Sequence, residues 1–149
     1  MLRPALENDL KFILGIRNLP EVVQVSNRKR SLALEELPCV SDSSYVMWIV
    51  HEEGQDYGYV MAHREDSAQA TISIALSKNA RGKGLGTRSI QDACSLLFVD
   101  QGVCEVLAEI YKGNSVSERA FEKSGFTLRE VITTQDGREK QIFALRRSS

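Results

Sequence analysis

Apolar positions along the chain switch between a period near two and a period near 3.6, and the switches mark its elements. Residues 2–4 predict a short first strand. Glu7, Asn8 and Asp9 then open a helix with Leu6, Leu10, Ile13 and Leu14 on one face, and Pro20 closes it. Residues 21–37 are mixed in pattern and predict a second, broken helix bounded by Pro38. Two apolar runs, 45–51 and 57–63, flank the polar, glycine-containing segment 52–56 and predict a hairpin. A turn at Glu65, Asp66 and Ser67 leads into a strand at 70–76, whose Ile72, Ile74 and Leu76 share one side.

A glycine-rich turn follows at Gly82, Gly84 and Gly86, and then a helix on which Leu85, Ile90, Ala93, Cys94, Leu97 and Phe98 recur at helical spacing. After Gly102, residues 103–110 predict a strand with Val103, Glu105, Leu107 and Glu109 on one face. Two acids on a strand are unusual. Ser115 and Glu118 have the spacing of a capping box, for a helix that turns Val116, Ala120 and Phe121 to the core and ends at Gly125. Two last strands, 126–134 and 140–146, flank Gln135, Asp136, Gly137 and Arg138, where Asp-Gly signals a hairpin. This order gives an α/β domain with a mixed sheet, in which a parallel pair must form across the glycine-turn helix.

Composition narrows the function classes. The 149 residues make one domain, 1–149, large enough to bury a core without staples. A net charge of -1 gives no bulk attraction for nucleic acid or a membrane surface, so neither partner is expected. The short basic run Arg28, Lys29, Arg30 predicts a solvated loop. Cys39, Cys94 and Cys104 are odd in number and lack paired spacing, so no disulfide framework or metal site is expected; Cys94 and Cys104 fall on apolar patterns and are read as packed. His51 and His63 end two strands without a ligand-like partner. With no leader-like start and no long apolar run, the chain is expected to be soluble and cytoplasmic.

The glycine turn carries the candidate chemistry. Glycines there let backbone N–H groups approach a ligand, and the following helix aims its positive dipole end at the same point, so an anion is expected. The nucleotide P-loop fails because Lys83 precedes Gly84. The dinucleotide fingerprint fails because Thr87 stands where its third glycine should be. A strand-to-helix turn without a ligand remains the structural alternative.

What does match is Arg81-x-x-Gly84-x-Gly86, which resembles the pyrophosphate loop of the acetyl-CoA-dependent N-acetyltransferases of the Gcn5-related (GNAT) superfamily. Downstream, Asn114-x-x-Ser117-x-x-x-Phe121-x-Lys123-x-Gly125-Phe126 resembles that superfamily's later motif, in the required order. The resemblance implies a GNAT-type mixed, mostly antiparallel central sheet with a splayed parallel strand pair, flanked by helices. It implies acetyl-CoA as cosubstrate and no metal. The cofactor contacts it implies are the backbone of Ile74, Ala75 and Leu76, the loop Arg81, Gly82, Lys83, Gly84, Leu85, Gly86 and Thr87, and Asn114, Ser117 and Phe121 beyond it. Asn114 could instead be a plain turn residue, and Lys83 and Arg88 solvated surface groups. Residues 20–40 would form the acceptor wall.

Direct acetyl transfer to an amine needs a base for the ammonium and an acid for the departing thiolate. Some resemblance to the ribosomal-protein alanine N-acetyltransferases, at Glu109 and residues 134–139, implies Glu109 as base, partly desolvated in the cleft; a solvated or paired strand carboxylate is the alternative. That family's acid is a tyrosine seven residues after the asparagine, where this chain has Phe121, and a phenyl ring donates no proton. Tyr111, on the face of Glu109, is the substitute, with packing as its other reading. The expected activity is an acyl-CoA-dependent N-acetyltransferase acting on a protein N-terminus or a small amine such as an amino sugar, as a monomer or homodimer. A non-catalytic acetyl-CoA-sensing module is the alternative.

Overall fold

Alternating apolar residues on consecutive runs pair into a meander of strands, and the computed structural model places these at the centre of the fold. It describes residues 1–25, 33–38, 40, 42–80 and 82–148; Cys39, Arg81 and the run at 28–30 lie outside the described residues. The elements are β1 (Leu2–Pro4), α1 (Leu10–Arg17), α2 (Pro20–Val25), β2 (Tyr45–Glu52), β3 (Gln55–Arg64), β4 (Gln69–Leu76), α3 (Leu85–Asp100), β5 (Glu105–Tyr111), α4 (Ser115–Lys123), β6 (Thr127–Thr133) and β7 (Glu139–Arg146). All but one of the pairings in the seven-stranded sheet, ordered β1-β2-β3-β4-β5-β7-β6, are antiparallel. The exception is β4 with β5, the parallel pair spanned by α3.

The period-two alternation divides the apolar residues between two faces. On one, Val50, Val60, Ile72, Val106, Ala108, Ile110 and Phe143 pack with Ile90, Ala93, Cys94 and Leu97 of α3 and Phe121 of α4. On the other, Met47, Ile49, Tyr59 and Met61 pack with Ile13 and Ile16 of α1 and with Leu37. Arg3 donates to Asp9 from both guanidinium nitrogens, at 2.9 Å each, and to Asp56 at 3.1 Å, tying β1 to the β2–β3 hairpin. Asp56 also meets His51 Nδ1 at 2.7 Å.

Several local expectations are corrected. Pro20 opens α2 rather than closing its predecessor, at a first-turn position where its missing N–H costs nothing. Leu6 precedes the helix and is exposed. The first hairpin turns on Glu53 and Gly54 alone, both at positive φ, so its strands run longer than the apolar pattern does. Asn114, not Ser115, caps α4, with its side chain accepting from the Ser117 N–H, and Val116 faces solvent. Val103 precedes β5 and is buried with α3, because the Cys104 and Glu105 N–H groups both reach the Ala68 carbonyl and break the alternation. Cys104 is exposed rather than packed, while Cys94 is buried.

Candidate active site

The parallel pair is short. β4 and β5 are in register only at Gln69 with Glu105, Ala70 with Val106 and Thr71 with Leu107, so among the described residues β4 beyond Thr71 has no strand partner on that side. The strands splay as expected. Ser77 N–H donates to the Tyr57 carbonyl at 2.7 Å, which fixes the alternation along β4. Ile74 and Leu76 therefore turn their backbone groups to the opening, whereas Ala75 turns its own toward β3. Of the three residues expected to offer backbone to a cofactor arm, two have backbone groups that face the opening and one does not.

The splay leads into the glycine turn. Gly82 and Gly84 have φ of 77 and 68, and Gly84 caps α3 with no side-chain hydrogen bond to its first turn. Arg88 N–H closes onto the Gly84 carbonyl at 3.3 Å, and among the described residues the N–H groups of Leu85, Gly86 and Thr87 have no backbone partner. Leu85 itself is a core side chain, so only its backbone is on offer. Lys83 lies across Tyr57, its Nζ 3.4 Å from the hydroxyl and 5.1 Å from the ring centre. Arg88 is held by Glu52 at 2.8 Å.

The second motif braces this turn. Gly86 faces Leu76 and Ala120, whose side-chain carbons lie 3.8 and 3.9 Å from where a methyl would sit. The Ser124 hydroxyl donates to the Ala120 carbonyl at 2.7 Å and approaches that of Thr87 at 3.4 Å, linking the end of α4 to the start of α3. Asn114 Oδ1 is spent on the Ser117 N–H at 3.4 Å. Phe121 is 2% exposed and packs edge-on against Phe126, so its ring is a core element. An uncapped helix start beside a strand with free backbone groups fits a diphosphate carrying an amide-bearing arm, the chemical plan of coenzyme A.

Across the sheet from α3, no element among the described residues covers the strands at the splay. Ser73, on the interior strand β4, is exposed, and so is Glu109 on β5. The expected desolvation of Glu109 is corrected: its carboxylate is 39% exposed and pairs with Lys140 Nζ at 2.7 Å, the lysine reaching over from β7. That bond holds the Lys140 ammonium above the usual lysine range. Tyr111, on the same face as Glu109, carries the Arg138 guanidinium 4.3 Å over its ring.

The second acid on β5 has another task, which strand patterning alone does not distinguish. Glu105 is buried and accepts from Arg129 of β6 through two nitrogens, from Arg146 of β7 at 3.1 Å and from Gln69 of β4 at 2.7 Å. The Arg129 guanidinium foremost holds its carboxyl down at about 2. Four strands thus meet on one carboxylate where the parallel ladder begins. Arg129 is extruded by a bulge between Leu128 and Glu130, a feature with no plain signature in the sequence.

The splayed sheet and uncapped glycine turn define an acyl-CoA-dependent transferase. Residues 1–127 match the family model described as an acetyltransferase (GNAT) domain, and the chain belongs to that family. It is 38% identical over 156 aligned positions to the aminoglycoside N(6')-acetyltransferase type 1 of Klebsiella pneumoniae, covering 91% of this chain and 78% of the relative. Among solved structures, the aminoglycoside acetyltransferase AAC(6')-Ib with coenzyme A and kanamycin superposes with a TM-score of 0.81 at 24% identity, covering 99% of this chain and 94% of that one. The spermidine N-acetyltransferase of Vibrio cholerae with CoA and spermine gives 0.86 at 15% identity, covering 98% and 94%. The protein is an acetyl-CoA-dependent N-acetyltransferase acting on amines. Among the described residues no group of side chains could hold a metal ion, and no helix is long and apolar enough to cross a membrane.

Proposed function

We propose that the acceptor is a small polycationic amine, of the aminoglycoside or polyamine kind, and that Glu109 takes the proton from its attacking nitrogen. The observation that carries this reading is the exposure of Glu109 on the sheet face opposite α3, beside the opening between β4 and β5. Similarity over nearly the whole chain to an enzyme named for aminoglycoside acetylation supports the acceptor class.

Acetyl-CoA supplies the thioester whose acetyl group is transferred. Backbone N–H groups at Leu85, Gly86 and Thr87 bind the diphosphate, and the free backbone of Ile74 and Leu76 orients the arm. Asn114 and Ser117 serve this side by fixing the start of α4. An acceptor amine is protonated near neutral pH and becomes a nucleophile only after giving up a proton, which the Glu109 carboxylate accepts. With Phe121 unable to donate, the Tyr111 hydroxyl is the acid candidate nearest Glu109 along β5.

Thiol release measured across aminoglycosides, spermidine, amino sugars and peptides with free N-termini tests the proposal. Turnover confined to the polycationic small amines is the expected result. Turnover on peptides alone would replace the acceptor class, and saturable CoA binding without release on any amine would favour a sensing module.

A further inference from the structure

We propose that Lys140 is a specificity-determining residue that occupies, on Glu109, the place of the acceptor's ammonium group and so sets how strongly polycationic acceptors bind. The inference rests on the reading of Glu109 given above. Lys140 Nζ stands 2.7 Å from a Glu109 carboxylate oxygen, and the two side chains are diagonal neighbours on the face opposite α3, since Glu109 is in register with Ile142 and Tyr111 with Lys140. A protonated amine approaching Glu109 therefore meets a fixed positive charge of its own kind. Either the newcomer displaces Lys140 or the two share one carboxylate.

Displacement is cheap. A cross-strand ion pair at this degree of exposure adds little to stability, so the carboxylate can exchange partners at little cost to the fold. Lys140 also has somewhere to go, because its Nζ lies 6.0 Å from the Tyr111 ring centre, within the range of a cation–π contact. Arg138 already sits over that ring, so a second cation stands close to Lys140. Glu105, the other acid on this face of β5, is already engaged by Arg129 and Arg146. An acceptor with several charges is repelled most, and one with a single charge least.

Steady-state kinetics on Lys140→Met, Lys140→Arg and Glu109→Gln test this with a monoamine, spermidine and an aminoglycoside as probes. In Lys140→Met the acceptor KM should fall roughly three- to thirtyfold, more for acceptors of higher charge, as removal of a like charge predicts. The KM for acetyl-CoA should not move, and Lys140→Arg should restore the wild-type acceptor KM. Glu109→Gln together with Lys140→Met should show no KM gain over Glu109→Gln alone, because the contested carboxylate is gone. An acceptor KM in Lys140→Met that is unchanged, or changed equally for all charges, would overturn the inference. If that happens while Glu109→Gln still depresses turnover, the proposed role of Glu109 survives. Wild-type kinetics in Glu109→Gln would instead remove the role of Glu109 and the inference with it.

Discussion

Gly58 on β3 lies so close to Ala75 on β4 that a methyl group placed on it would stand 2.3 Å from the Ala75 carbonyl oxygen and 2.8 Å from Leu76 Cα. Both neighbours are backbone, which cannot swing aside. Gly58→Ala must therefore push β4 away from β3 at the end where Ile74 and Leu76 face the opening. A destabilisation of about 1–3 kcal/mol is expected, as for overpacking a core. Acetyl-CoA affinity should fall with it. Denaturant melts and calorimetry measure the two effects, and a variant of wild-type stability would show that the approach is not tight.

Glu105 makes stability depend on acid. Its carboxyl is held at about 2 in the folded protein, well below the ordinary glutamate value, so its contribution is complete above that ordinary value. Stability should drain away as pH falls from about 5 towards 2, the range between the unfolded and folded values. Arg129→Met removes the largest cause and leaves a buried carboxylate less well paired, with an expected cost of about 2–4 kcal/mol at neutral pH. Its acid-unfolding midpoint should move to higher pH than that of the wild type. Coincident acid transitions in the two proteins would mean that Glu105 has no such role.

Gly84 separates backbone geometry from packing. A Cβ there meets nothing within 4 Å, yet φ is 68, so Gly84→Ala should cost only about 1–2 kcal/mol of fold stability. Gly84→Val, bulkier beside the first-turn N–H groups, should abolish acetyl-CoA binding. Isothermal titration of the folded variants is the check; normal binding by Gly84→Val would move the diphosphate elsewhere.

Turnover in Glu109→Gln should drop by about 100-fold to 10,000-fold at pH 7 if general-base assistance is what the carboxylate supplies. Acetyl-CoA affinity should stay within a few-fold, and the deficit should narrow as pH rises and more acceptor is already neutral. A deficit that does not vary with pH would mean that the carboxylate positions the amine instead.

The described thiols should react very unequally. Burial pushes the Cys94 thiol up to about 12, whereas Cys104 is exposed at the foot of β5. A thiol reagent at neutral pH should label Cys104 and spare Cys94 until the chain unfolds. Peptide mapping by mass spectrometry would show the order.

The fold was legible where a single physical cause set the pattern. Alternation gave the strands, the 3.6 period gave α3, and Gly84 and Gly86 placed the turn between them. The site was harder to read, because each error came from contacts distant in sequence. Glu105 and Glu109 share one strand face and look alike along the chain; only Arg129, Arg146 and Lys140, arriving from β6 and β7, give one a buried clamp and the other an exposed pair. Backbone direction along β4 likewise depends on the hydrogen bond from Ser77 to Tyr57, so Ala75 could not be told from its neighbours. Pro20 misled because the same residue that cannot sit inside a helix is well suited to starting one.

Two separate apolar clusters back the sheet, one built with α3 and α4 and the other with α1 and Leu37. The parts proposed to grip the donor and those proposed to flank the acceptor thus take their support from opposite sides of a shared partition. A change of side chain behind α1 reaches the glycine turn only through the strands themselves. Such an arrangement gives protein engineers two halves that can be redesigned one at a time.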